Sequence, residues 1–104
     1  MTRRLIGDES TVRAHRGDEL VIVLSENAST GYVWVVNSIP EFLQLAGDES
    51  HYAASAAPGQ AGERHFTFLA TEAGTGEVTL SLSRPWEPAG APEAVRAVVV
   101  TVEP

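Results

Sequence analysis

The side chains of this chain with the most chemistry to offer are three histidines, fourteen acidic residues and two tryptophans. His15, His51 and His65 do not fall in a His-x-x-x-His metal-ligand spacing, and no Gly-x-Ser-x-Gly nucleophile elbow is present. Glu9, Asp18, Glu19, Asp48, Glu49, Glu72 and Glu77 are scattered as a solvated surface would scatter them, not paired for acid–base work. The chain has no cysteine, which excludes a thiolate nucleophile, a zinc–thiolate site and a disulfide. No catalytic residue, metal ligand or cofactor is therefore expected. The chemistry that stands out is docking. Arg84-Pro85-Trp86-Glu87-Pro88 sets a tryptophan between two prolines, outside any alternating run. Proline stiffens the backbone and lowers the entropy lost on docking, and Trp and Arg are the side chains most enriched at binding hot spots. The plainer reading of Trp86 is an aromatic folded back over its own loop.

Two further connections share this character. Asn27-Ala28-Ser29-Thr30-Gly31 is small-sided and polar; Gly31 admits positive φ, and Asn27 can brace a turn through nearby backbone. Ser29 and Thr30 are narrow enough to enter a cleft, although taken alone the segment reads as an ordinary turn. Ala56-Ala57-Pro58-Gly59-Gln60-Ala61-Gly62 is a loop of glycine, proline and alanine.

The elements that must position these loops read as strands. Residues 19–24 form a continuous β-branched run, as in a strand covered on both faces, after an Arg16-Gly17-Asp18 turn. Residues 32–36 and 63–70 follow, the latter with Phe66 and Phe68 on one face. Val78, Leu80 and Leu82 alternate with Thr79, Ser81 and Ser83. A last strand spans 95–102, and an early one includes 11–13. Residues 42–54 read as one interrupted strand or two short ones, with Gly47-Asp48-Glu49-Ser50 as a turn and Pro40-Glu41-Phe42-Leu43 open to a single helical turn. The sum is an all-β, immunoglobulin-like sandwich of about seven to eight strands without a disulfide, in one domain over residues 1–104, with Trp34 packed between the sheets. If each strand reverses the chain and 42–54 is one strand, all three loops emerge at one end. If it is two, the first loop parts from the others.

Taken together, these loops resemble those of the chagasin family, proteinaceous inhibitors of papain-like cysteine peptidases. The family's Asn-Pro-Thr-Thr-Gly-aromatic motif, soon followed by Trp, has its counterpart in Asn27-Ala28-Ser29-Thr30-Gly31-Tyr32-Val33-Trp34. Its Gly-x-Gly-Gly-type loop corresponds to Gly59-Gln60-Ala61-Gly62, and its Arg-Pro-Trp motif is intact as Arg84-Pro85-Trp86. The resemblance spans nearly the whole chain. It departs at Ala28, where the family usually has proline, and in the reduced glycine content of the second loop. It implies a peptidase-binding set of Asn27, Ser29, Thr30, Gly31, Tyr32, Gly59, Gly62, Arg84, Pro85 and Trp86. It also implies a reversible, non-covalent wedge: Thr30 and Gly31 over the catalytic cysteine, Trp86 on the primed side, the glycine-rich loop on the non-primed side. An adhesion or carbohydrate-binding sandwich using the same loops is the alternative.

A net charge of −7 disfavours nucleic acid and anionic membrane as partners. No apolar run approaches the roughly 20 residues of a membrane span, and the N-terminal residues do not make a signal peptide. A monomer is expected, either cytoplasmic or exported with its leader removed.

Overall fold

The computed structural model describes residues 2–27, 30–51, 62–87 and 92–104. Within them lie eight strands: β1 (Arg3–Ile6), β2 (Thr11–His15), β3 (Glu19–Glu26), β4 (Val33–Ser38), β5 (Leu43–His51), β6 (Gly62–Ala70), β7 (Gly74–Ser83) and β8 (Ala94–Glu103). They form two four-stranded sheets, in the orders β1-β3-β6-β5 and β2-β8-β7-β4. The edge strands β1 and β2 run parallel to β3 and β8, and every other pairing is antiparallel.

The sheets close on a core of Ile6, Val12, Leu20, Ile22, Leu24, Phe66, Phe68, Val78, Leu80, Val98 and Val100, with Trp34 at one end of it. The alternation in β7 and β8 contributes Val78, Leu80, Val98 and Val100 to this surface directly. In β3, Leu20, Ile22 and Leu24 point inward. Val21 is also fully buried, on the outer face between Leu5 of β1 and Thr67 of β6. The turn before β3 is closed by Asp18 N donating to His15 O (3.0 Å), with Gly17 at φ +95°. His15 N donates to Asp18 Oδ2 at 2.9 Å and holds that carboxyl below its usual pKa.

Four segments differ from the sequence reading or settle what it left open. Strand β1 carries no alternation because Arg3, Arg4 and Leu5 are all exposed and only Ile6 is buried. Strand β7 begins at Gly74, four residues ahead of Val78, because a crossing segment leaves no room for side chains there. A Cβ on Gly74 would lie 2.7 Å from Phe42, and one on Gly76 2.8 Å from Pro40. Residues 47–50 are not a turn. They continue β5 past a bulge between Leu45 and Gly47, so Leu45 faces Phe68 while Asp48 faces Phe66. The extra residue flips the alternation, which is why one strand looks like two. Residues 40–43 form a hydrogen-bonded turn (Leu43 N to Pro40 O, 3.0 Å) rather than a helical one.

Because 43–51 is a single strand, the three loops share an end. Glu26 pairs with Gly62 and His51 with Glu63 in one sheet; Val33 pairs with Ser83 and Leu82 with Ala94 in the other. Trp34 lies at this end, where its Nε1–H donates to Ser25 O at 2.9 Å.

Truncating Trp34 removes an indole from between the sheets, so Trp34→Ala is expected to lower unfolding free energy by about 3–5 kcal/mol. Val95→Ala, at a position 65% exposed, is expected to change it by less than about 0.5 kcal/mol. Urea denaturation of the two variants checks the contrast.

Candidate functional site

After β3, the described residues Asn27, Thr30, Gly31 and Tyr32 are held in a turn by their own polar groups. Thr30 N donates to Asn27 O at 3.2 Å, Thr30 Oγ1 donates to the same oxygen at 2.8 Å, and Tyr32 N donates to Thr30 Oγ1 at 3.3 Å. Gly31 has φ +80°, a conformation that side chains strain against.

The segment after β7 folds onto this turn. Arg84 Nε donates to Thr30 O at 3.0 Å, its guanidinium lies 4.3 Å from the Tyr32 ring centroid, and its Nη1 meets Glu87 Oε1 at 3.1 Å. One cation thus bonds the first loop's backbone, stacks on its aromatic ring and closes its own turn. The Trp86 ring lies directly over Gly31. A Cβ on Gly31 would strike Trp86 Cη2 and sit 2.9 Å from Cζ2. Trp86 nevertheless stays 70% exposed. One side of the ring packs on the neighbouring loop, and most of the ring faces solvent.

Of the residues singled out from sequence, Thr30, Gly31, Tyr32, Arg84, Pro85 and Trp86 converge at this end. Thr30, Pro85 and Trp86 are exposed; Asn27, Gly31, Tyr32 and Arg84 are half-buried. Gly62 is buried as the first residue of β6, opposite Glu26, so it sits at the foot of the second loop. Ser29 and Gly59 lie outside the described residues.

Sequence reasoning missed the charged group beneath the loops. Glu26 continues the inward row of Leu20, Ile22 and Leu24, and its side chain is 3% exposed. Its Oε2 accepts from Trp34 N at 2.9 Å and from Arg64 Nη1 at 3.1 Å. Arg64 also binds Asp48, through Nη2 to Oδ2 at 2.7 Å and through Nε to Oδ1. Its guanidinium lies 5.0 Å from the Phe66 ring centroid. Asp48 is therefore not simply solvated: its hydrogen bond to Arg64 holds its carboxyl below the usual value, and the same bond raises Arg64. The signal was present in the sequence, since Glu26 and Arg64 each carry a charge on an otherwise apolar face of a strand, and a buried charge needs a partner. On the outer face, the His51 and His65 rings stack with centroids 4.0 Å apart, with their Nε2 atoms 3.1 Å from Glu49 and 3.2 Å from Glu63. Among the described residues, no three of His, Asp and Glu are arranged to hold a metal ion. What this end presents is a braced edge for contact: Thr30, Pro85 and Trp86 over a base of hydrogen bonds.

The sequence profile of the chagasin family, described as chagasin family peptidase inhibitor I42, matches residues 13–102. Amoebiasin-1 of Entamoeba histolytica is 32% identical over 81 residues, covering 78% of this chain and 79% of that protein. The crystal structure of EhICP2, a cysteine protease inhibitor from Entamoeba histolytica, superposes with a TM-score of 0.84 at 24% identity, covering 98% of this chain and 96% of that one. The structure of PbICP-C in complex with falcipain-2 superposes with a TM-score of 0.63 at 18% identity, covering 98% and 90%.

Gly31→Ala is expected to destabilise the fold by about 1 kcal/mol or more through its positive φ and to push the Trp86 ring aside. The measurement is the ring-current shift on the residue 31 α-proton, upfield in the parent and lost in the variant. A second expectation concerns acid. The Asp48–Arg64 bond contributes stability above the unfolded aspartate pKa of about 3.9, and that contribution is lost as pH falls through the lowered folded value. Urea midpoints should show Asp48→Asn less stable than the parent at pH 6, with the two converging towards pH 2.

Proposed function

This chain belongs to the chagasin family of peptidase inhibitors, and we propose that it inhibits papain-like cysteine peptidases by lodging the edge formed by its loops in the active-site cleft. The observation that carries this reading is the contact between two of the loops. Residues 54 positions apart, Arg84 and Thr30, are hydrogen-bonded at the same end where Trp86 covers Gly31.

The chemistry of each part fits a plug rather than a substrate. Thr30 and Gly31 have little side chain, so backbone can approach a catalytic cysteine closely. The turn that carries them is held by Asn27 and by Arg84, so the peptide does not relax into the geometry that nucleophilic attack requires. Trp86, with Pro85 beside it, offers a large apolar surface for the primed side of the cleft, backed by Gly31 so that little freedom is lost on docking. Asn27, Ser29 and Tyr32 complete the first loop. The loop containing Gly59, with Gly62 at its foot, would lie along the non-primed wall. Binding is non-covalent and reversible, needs no cofactor, and is carried out by residues 1–104 as one inhibitor unit acting as a monomer. Members of this family are peptidase inhibitors, not enzymes.

Titration of the protein against papain and a cathepsin L-like peptidase with a fluorogenic peptide is expected to show inhibition below micromolar concentration; its absence would reject the proposal. Trp86→Ala is expected to weaken inhibition by about thirty-fold, the hot-spot loss of about 2 kcal/mol. Thr30→Ala should weaken it less, and both should leave the thermal midpoint within a few degrees of the parent. A Trp86→Ala variant as unstable as Trp34→Ala would instead make Trp86 a residue of the fold.

A further inference from the structure

The root of the first loop contains a charged group that contact with a peptidase does not require. Glu26 ends β3 on the inner face, and its carboxylate is 3% exposed. A buried ion pair seldom stabilises a fold more than apolar residues of similar volume would, so the directions of its bonds are its informative feature. Trp34 N, on β4 in the opposite sheet, donates to Glu26 Oε2 at 2.9 Å, and Trp34 Nε1 donates to Ser25 O at 2.9 Å. The last two residues of β3 are thereby bonded to the second residue of β4, and the first loop is strung between them. Arg64 Nη1 reaches Glu26 Oε2 at 3.1 Å and Oε1 at 3.4 Å, while its other nitrogens hold Asp48 on β5. A single guanidinium, 19% exposed, therefore spans β3, β5 and β6, next to the strand ends that flank the second loop.

We infer that Glu26 is a positioning residue of the inhibitory edge: held by Arg64 and by the Trp34 N–H, it sets the root of the first loop against the root of the second, so that Thr30 and Gly31 meet Arg84 and Trp86 before any peptidase arrives. The inference rests on the inhibitor reading for its consequence in binding, but not for its consequence in the free protein. A loop ordered in advance loses less entropy on docking. Removing the network while leaving the core filled should loosen the loop without unfolding the sandwich.

The test is the double variant Glu26→Leu/Arg64→Leu, which replaces both charges by apolar side chains, set beside Glu26→Gln, which keeps an acceptor for the Trp34 N–H. Two quantities are measured: amide hydrogen exchange of the free proteins, and inhibition of papain. The expected result is a double variant with a thermal midpoint near the parent's. Its exchange at Thr30 and Tyr32 should be at least ten-fold faster, with exchange at Val98 and Val100 unchanged, and its inhibition at least ten-fold weaker. Glu26→Gln should fall between the two and, should the double variant fail to fold, decides alone by the same comparison. Unchanged exchange at Thr30 and Tyr32, equal loosening throughout both sheets, or a loosened loop with undiminished inhibition would each overturn the assignment. If the parent protein itself leaves papain active, the inhibitor reading falls, while the exchange data still decide whether Glu26 orders the loop.

Discussion

The indole of Trp86 and a side chain at residue 31 cannot occupy the same space, and the architecture of this end follows from that exclusion. The residue must be glycine for two reasons that act together: its φ of +80° and the ring packed against it. Once the ring is seated, the backbone on either side has defined partners, Thr30 O for the Arg84 guanidinium and the Tyr32 ring beneath it. A crossing between sheets and a hairpin within one sheet are thus joined into one edge. An exposed aromatic on a mobile loop would lose that mobility on docking; here much of the ordering is already done by intramolecular contacts.

The sandwich brings the loops together through direction alone. Consecutive strands alternate in direction, so connections of the same parity fall at the same end. The bulge in β5 leaves this count unchanged and alters only which face the side chains take. By absorbing one extra residue it lets a strand of nine residues keep Leu43 and Leu45 facing one way and still turn Asp48 toward Arg64 on the inner face. Without it, the second half of β5 would present the opposite set of side chains, and the guanidinium beneath the loops would lose one of its two carboxylate partners. The glycines of β7 serve packing in a similar way, because they let Pro40 and Phe42 close the opposite end against the sheet.

Electrostatics divide into two regimes. Most acidic groups are solvated, and their exposed pairings, such as Arg13 with Glu103, contribute little. The Glu26–Arg64 pair differs because it is largely withdrawn from water, where each charge depends on its partners and the bonds have direction, with Asp48 joining it from the exposed edge. It sits where the strands flanking the first and second loops end.

Local chemistry in the sequence was sufficient for several features. The alternation of Val78, Leu80 and Leu82, the turn at Gly17, the inward place of Trp34 and the three loop motifs are each written in contiguous residues, because period, turn propensity and motif are short-range properties. The family resemblance was legible for the same reason. Other features depended on contacts between residues far apart in the chain. That Gly74 and Gly76 belong to a strand follows from Phe42 and Pro40 lying across them, and that 43–51 is one strand follows from its register with β6. The partnership of Glu26 with Arg64, 38 positions away, and of Arg84 with Thr30 exists only once the sheets are stacked. Sequence alone determined which side chains were available for recognition; the tertiary structure decided which of them meet, because strand pairing and the closure of two sheets are set by non-local packing that no single segment encodes.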